Sequence, residues 1–224
     1  MKKLLFPICL SLLLPSCASY RMEGKTNVPN LDGQKLYLKA SIQDSIIDLD
    51  SCEVIHGLFS MEGEVDTVTL GAIYLCGESL MPVVIEKGNI KIFIENSGLK
   101  VTGTPLNDRL YRFINDKNQL EQNLSDIQHK QMQLIMDGVP ADDAEAQIKA
   151  ETDSLVNGMN HLISDFIVQN FDNILSVQIF AMYCQSFPQP VVTPLIDDII
   201  KQAPESFKND TFVKEYLELA KQVK

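Results

Sequence analysis

Tryptophan is missing from this 224-residue chain, aromatic residues are scarce at 7%, and 19 basic side chains face 30 acidic ones. The formal net charge is -11, and residues 104–224 carry 18 acids against 10 bases, so no basic patch hides behind the average. A polyanion would be repelled by such a surface, and no nucleic-acid partner is expected. Histidine occurs three times, as His56, His129 and His161. With no paired cysteines and no short-spaced histidine motif beside them, no zinc site of three or four converging ligands is expected, and no cofactor. The five cysteines include no Cys-x-x-Cys, the spacing that makes one thiolate reactive in dithiol redox centres. The glycine patterns of phosphate-binding and dinucleotide-binding loops are missing too, and Gly77-Glu78-Ser79-Leu80 lacks the glycine that a nucleophile elbow needs.

What is present begins with a delivery segment. Lys2 and Lys3 precede the apolar run Leu4–Leu14, which is shorter than the roughly 20 residues of a bilayer-spanning helix, so residues 1–16 read as a signal peptide. Its end, Leu14-Pro15-Ser16-Cys17, resembles the lipobox of bacterial lipoproteins: an aliphatic residue three before the cysteine and a small one immediately before it. The resemblance implies that Cys17 receives diacylglycerol and becomes the mature N-terminus, with enough acyl chains for stable membrane attachment. Losing Lys2 and Lys3 leaves 17 bases against 30 acids, a net of -13. Ala18-Ser19 is not the aspartate associated with inner-membrane retention, and no acidic run of the kind that marks surface export in some Bacteroidetes lipoproteins follows. By resemblance to these sorting rules the address is the periplasmic face of the outer membrane, with the cell surface as the alternative.

Residues 17–103 read as an antiparallel β domain, a sandwich or partly open barrel. Short β-branched and aromatic runs are punctuated by Gly, Asn and Ser in the manner of a meander. Strands are predicted over Tyr20–Asn27, Gln34–Ala40, Ile46–Asp48 leading into Ser51–Ile55, Leu58–Gly63, Thr67–Leu75, Met81–Ile85, Asn89–Glu95 and Leu99–Gly103. His56-Gly57 supplies one turn, and Glu86-Lys87-Gly88 reads as a hairpin connection. A lone sheet would leave an apolar face wet, so a second sheet or the following helices must cover it.

The frame Gly33-Gln34-Lys35-Leu36-Tyr37-Leu38, Gly57-Leu58-Phe59-Ser60-Met61-Glu62-Gly63, Leu80 to Ile90 and Val101-Thr102-Gly103-Thr104-Pro105-Leu106-Asn107 resembles the Bacteroidetes domain of unknown function 4369. The resemblance covers about residues 20 to 120. That domain commonly precedes a thioredoxin-like module in lipid-anchored thiol-disulfide oxidoreductases related to alkyl hydroperoxide reductases, and carries no catalytic residue of its own. Without a Cys-x-x-Cys between Met1 and Lys224, the redox module is expected to be absent here.

From residue 104 to 224 the pattern is helical. Leu106, Leu110, Phe113, Leu120, Leu124, Ile127 and Leu134 recur at threes and fours, predicting an amphipathic helix of about 30 residues. Asp137-Gly138-Val139-Pro140 stops it. Asp142 and Glu145 resemble a capping pair, and Ile148, Leu155, Met159, Leu162 and Phe166 make a matching stripe, so an antiparallel helix hairpin is expected. The stripe reads as core, with an exposed ridge or homodimer seam as the alternative. Ile174–Tyr183 predicts a buried helix, Thr193-Pro194 caps another, and Asp210 caps Thr211–Gln222 with Phe212, Tyr216 and Leu219 on one face.

Few residues are left for chemistry. Cys52 and Cys76 read either as a disulfide between neighbouring strands or as small buried hydrophobes, and Cys184 as the odd thiol. Asp48 and Asp50 are a nominal carboxylate pair on a solvated edge. His129 and His161 would face each other across the hairpin if its register allowed it. The expected function is that of a lipid-anchored envelope protein, a binding or accessory module for an envelope protein or small ligand, without a catalytic site. The alternative is a redox accessory domain that serves a separate thioredoxin-like partner.

Overall fold

A computed structural model describes residues 19–42 and 45–222; the signal segment and Cys17 lie outside the described residues. Eight strands, β1 (Ser19–Thr26), β2 (Lys35–Ile42), β3 (Ser45–Glu53), β4 (Leu58–Glu64), β5 (Thr69–Leu75), β6 (Glu78–Ile85), β7 (Gly88–Glu95) and β8 (Gly98–Thr102), precede six helices. The helices are α1 (Pro105–Met136), α2 (Ala141–Gln169), α3 (Ile174–Gln185), α4 (Pro194–Gln202), α5 (Glu205–Lys208) and α6 (Thr211–Gln222).

The strands form two four-stranded sheets, β4-β1-β7-β8 and β3-β2-β5-β6, that are not closed into a barrel. Alternation drives them together. Tyr20, Met22, Phe59, Met61, Ile90, Ile92, Ile94 and Val101 of the first sheet join Leu36, Leu38, Ala40, Ile73, Met81, Val83 and Ile85 of the second in one buried cluster.

Two expectations are corrected here. The order is not a meander: the chain changes sheet between β1 and β2, β3 and β4, β4 and β5, and β6 and β7. Glu86-Lys87-Gly88 is therefore a crossover between sheets and not a hairpin. Since β7 enters the first sheet from the same end as β1, the two lie parallel, with Met22 opposite Ile90, while the other pairings are antiparallel.

The tight turns are His56-Gly57 and Cys76-Gly77, where both residues of each pair have positive φ. This is the twist-matched two-residue turn that favours glycine. At Gly57 a Cβ would also sit 2.7 Å from the Thr26 carbonyl oxygen.

The hairpin is antiparallel, as Phe113 against Phe166 and Lys130 against Glu151 show. Its base is buried through Leu110, Phe113, Ile163 and Ile167, whereas Met132, Ile135 and Met136 near its tip are exposed, Met136 by 81%. Of the predicted α1 stripe, Leu110, Phe113 and Ile127 are buried and Leu106, Leu120, Leu124 and Leu134 half-buried, while the exposed apolar residues at the tip lie outside it. The start of α2 differs from expectation: Pro140 stands at the N-cap with no side-chain cap, and Asp142 lies inside the first turn. Thr193 and Asp210 cap α4 and α6 as predicted, accepting from Ile196 N (3.2 Å) and Phe212 N (3.0 Å). The buried face of α6 is Val213, Tyr216 and Ala220, while Leu219 is exposed.

The two halves are joined by side chains acting as backbone. Asn107, fully buried in the first turn of α1, accepts from Val84 N (2.9 Å) and donates to Val84 O (2.7 Å) through its Nδ2. Its amide thus replaces a strand at the free edge of β6. Pro82 on that edge has no N–H to satisfy, and its carbonyl accepts from the Tyr111 hydroxyl (2.9 Å). Buried Glu86 accepts from the backbone N–H groups of Leu106 (2.9 Å) and Asn107 (3.1 Å), placing a carboxylate at the helix start where unpaired N–H groups gather.

Candidate functional site

The residues singled out from sequence do not converge. Cys52 and Cys76 are free thiols. Cys52 on β3 stands opposite Leu36 of β2, and Cys76 follows Leu75, which flanks Leu36 on the other side. With β2 between them the two thiols are about two strand spacings apart, roughly 9–10 Å, beyond the reach of a disulfide. The bridge weighed from sequence therefore does not form; Cys76 belongs to a tight turn that sequence did not reveal. Asp48 and Asp50 are also separated. The register shifts between Leu38 and Lys39, so Asp50 faces Leu38 and Asp48 faces Lys39, on opposite faces of the sheet. Asp48 pairs with the Lys39 ammonium at 3.0 Å. Asp50 accepts from Ser51 N (2.7 Å) and, across to the other sheet, from Glu62 N (3.1 Å).

His129 and His161 do not meet. The stagger set by Lys130–Glu151 and by Leu120 against Gly158 leaves them several turns apart, and His161 lies instead beside Asp198 and Lys201 of α4. Among the described residues no three His, Cys, Asp or Glu side chains are grouped to hold a metal ion.

Burial pushes the Cys52 thiol up to about 11, with a backbone hydrogen bond from Ser60 pulling the other way and Asp50 adding to the rise. Cys52 lines a hollow of about 440 Å³ with Ile55, Leu58 and Phe59. The buried Cys184 thiol is pushed up to about 12, chiefly by desolvation, with the neighbouring Tyr216 side chain pulling the other way. Neither environment favours a thiolate.

Two further cavities are larger than the hollow at Cys52. The larger, about 630 Å³, lies where the sheets meet the start of α3, between Tyr20, Leu49, Val65, Ile85 and Ile174, and has a polar rim of Ser41, Thr67 and Thr69. The other, about 490 Å³, is built into the base of the hairpin. From α1 it takes Arg109, Arg112, Phe113 and Asp116, and from α2 Leu162, Asp165, Phe166 and Gln169. Each set is spaced i, i+3, i+4, i+7, one face of one helix. Phe113 and Phe166 form the floor with ring centroids 4.5 Å apart. The Arg109 guanidinium donates to the Asn170 side-chain oxygen at 3.2 Å. Asn170 is itself buried and held by a bond from its Nδ2 to the Phe166 carbonyl at 2.7 Å and one from Asn173 at 3.0 Å. Sequence reading passed over these polar residues because it followed the apolar stripe of each helix; the readable signal was the second stripe beside it.

The architecture is that of a two-sheet β module fused at one edge to a helical hairpin. Residues 20–110 match the family model described as a domain of unknown function, DUF4369, and the matched span includes Asn107 and the first turn of α1 that completes the β6 edge. No curated protein matches the chain.

Proposed function

We propose that this chain is a lipid-anchored cell-envelope protein that binds a ligand or partner and has no reaction centre of its own. The observation that carries the reading is the hairpin cavity: a hollow of about 490 Å³ with an aromatic floor and a rim of polar and charged groups on two helices, within the size range of small-ligand sites. The membrane part of the proposal rests on Lys2, Lys3, the Leu4–Leu14 run and the lipobox-like Leu14-Pro15-Ser16-Cys17. With β1 starting at Ser19, an anchor on Cys17 would hold the folded body close to the bilayer, at the periplasmic face of the outer membrane by the sorting rules above.

The test has two arms. Growth with an alkyne-tagged fatty acid labels the wild-type protein in the membrane fraction, while Cys17→Ser abolishes both the label and the sedimentation. Label retained in that variant overturns the anchor. Catalytic turnover of any substrate by the purified protein alone overturns the binding-module reading. The redox alternative has one observation in its favour, Cys52 lining an apolar hollow, and its raised thiol value against it.

A further inference from the structure

We propose that the hairpin cavity takes a zwitterion with an apolar side group, of the class of amino acids and short peptides. The proposal deepens the binding-module reading and rests on it. Three features of the cavity select this chemistry.

The first is its arginines. The whole chain contains three, Arg21, Arg109 and Arg112, and two of them line this one cavity in a protein otherwise dominated by carboxylates. A planar guanidinium matches a carboxylate with two parallel bonds, which lysine cannot do. Arg109 is aimed in advance by Asn170, so little ordering remains to be done on binding.

The second is the opposing charge. Asp116 lies one turn beyond Arg112 on α1, and Asp165 faces the groove from α2. Among the described residues no ion pair within 4.0 Å engages Arg109, Arg112, Asp116 or Asp165, although Lys130 and Glu151 pair across the same two helices and Lys117 pairs with Glu121. A simple anion would be repelled by the two aspartates and a simple cation by the two arginines. A molecule bearing both charges satisfies all four. Its carboxylate lies toward the sheet end, at Arg109 and Arg112, and its ammonium at Asp116 and Asp165.

The third is the floor. Half-buried Phe166 and Leu162, backed by buried Phe113, leave an apolar surface between the charged groups, in a volume of about 490 Å³ that suits one or two amino-acid residues.

The measurement is isothermal titration of the full-length protein in detergent micelles with the dipeptide Ala-Phe, its N-acetyl form, its C-terminal amide, the doubly blocked form, inorganic phosphate and putrescine. Ala-Phe is expected to bind saturably, and blocking either end to weaken binding about tenfold or more, the loss of one charge-assisted contact. Arg112→Gln should reduce the penalty for amidation, Arg109 remaining, and leave the penalty for acetylation unchanged, with Asp165→Asn doing the reverse. Both residues are exposed, so the variants keep the fold. No saturable binding of Ala-Phe up to about 10 mM, a range that would already include very weak sites, overturns the inference. Equal binding of the doubly blocked dipeptide also overturns it, but leaves the binding-module reading standing. Phosphate or putrescine binding tighter than Ala-Phe does the same.

Discussion

Asn107 shows how much one side chain can decide. Its amide has the donor and acceptor of a peptide group in the same plane, and from the first turn of α1 it satisfies both backbone groups of Val84. Asn107→Leu would keep the volume and strand both groups in a buried place, so the variant is expected to lose about 3 kcal/mol in urea unfolding followed by circular dichroism. A loss under about 1 kcal/mol would mean that water replaces the amide.

The cysteines give a second test at this scale. With its folded value near 11, the Cys52 thiol is ionised at pH 7 in about one molecule in ten thousand, so iodoacetamide should modify exposed Cys76 first and Cys52 only slowly. The raised values also fix a direction for stability. Folding favours the protonated thiols, so their contribution is intact below the unfolded value near 9.0. It is lost as the pH climbs from there through about 11 for Cys52 and about 12 for Cys184. Urea midpoints should be insensitive to these groups up to about pH 8.5 and fall above it; substituting alanine at both positions should flatten that fall.

Among the elements, the pairing of β1 with β4 depends on two glycines facing two aromatic rings. Gly24 lies opposite Phe59, and Gly63 opposite Tyr20. In each pair the ring lies across the glycine, so a Cβ at Gly24 would fall 2.0 Å from the Phe59 ring. The glycine weakens the strand by itself, and the ring covers the gap. Gly24→Ala should therefore displace Phe59 and cost about 2 kcal/mol of stability, while Gly33, with open space around it, would register only its positive φ. Recovery of Gly24→Ala stability by Phe59→Leu, which shortens the opposing side chain, would identify the ring as the cause. At the other edge of the sandwich, β4 offers its free side to β3, where the Asp50 carboxylate accepts from Glu62 N. That contact covers an edge otherwise open to pairing with another chain.

For the molecule as a whole, the strands and the helices form one structural unit, because the edge of β6 is completed by α1. A fragment ending at Gly103 would expose Val84's backbone groups, the Pro82 carbonyl and the apolar surface beneath α1. It is expected to aggregate or stay unfolded, whereas full-length protein should show coincident unfolding by far-ultraviolet circular dichroism and by the exposure of Cys52 in the sheet and Cys184 in the helices. A soluble, cooperatively folding fragment would show that the sandwich closes without its helix.

Each of the eight strands was legible in the sequence to within a few residues, as were the helix hairpin, the Thr193 and Asp210 caps and the His56-Gly57 turn. These follow from signals within a few residues of each other: alternation for a sheet face, threes and fours for a helix face, a capping oxygen beside its N–H groups. Which strands share a sheet was not legible. Ile85 and Gly88 are three residues apart and belong to different sheets, while Met22 and Ile90 are direct neighbours across most of the β region. The same holds for the candidate site. Arg109, Arg112 and Asp116 are plain solvent-facing helix residues until the hairpin register brings Asp165 and Phe166 opposite them. Periodicity belongs to a segment and can be read from it, but a partner is chosen by burial and register summed over the whole chain, and only the folded structure holds that sum.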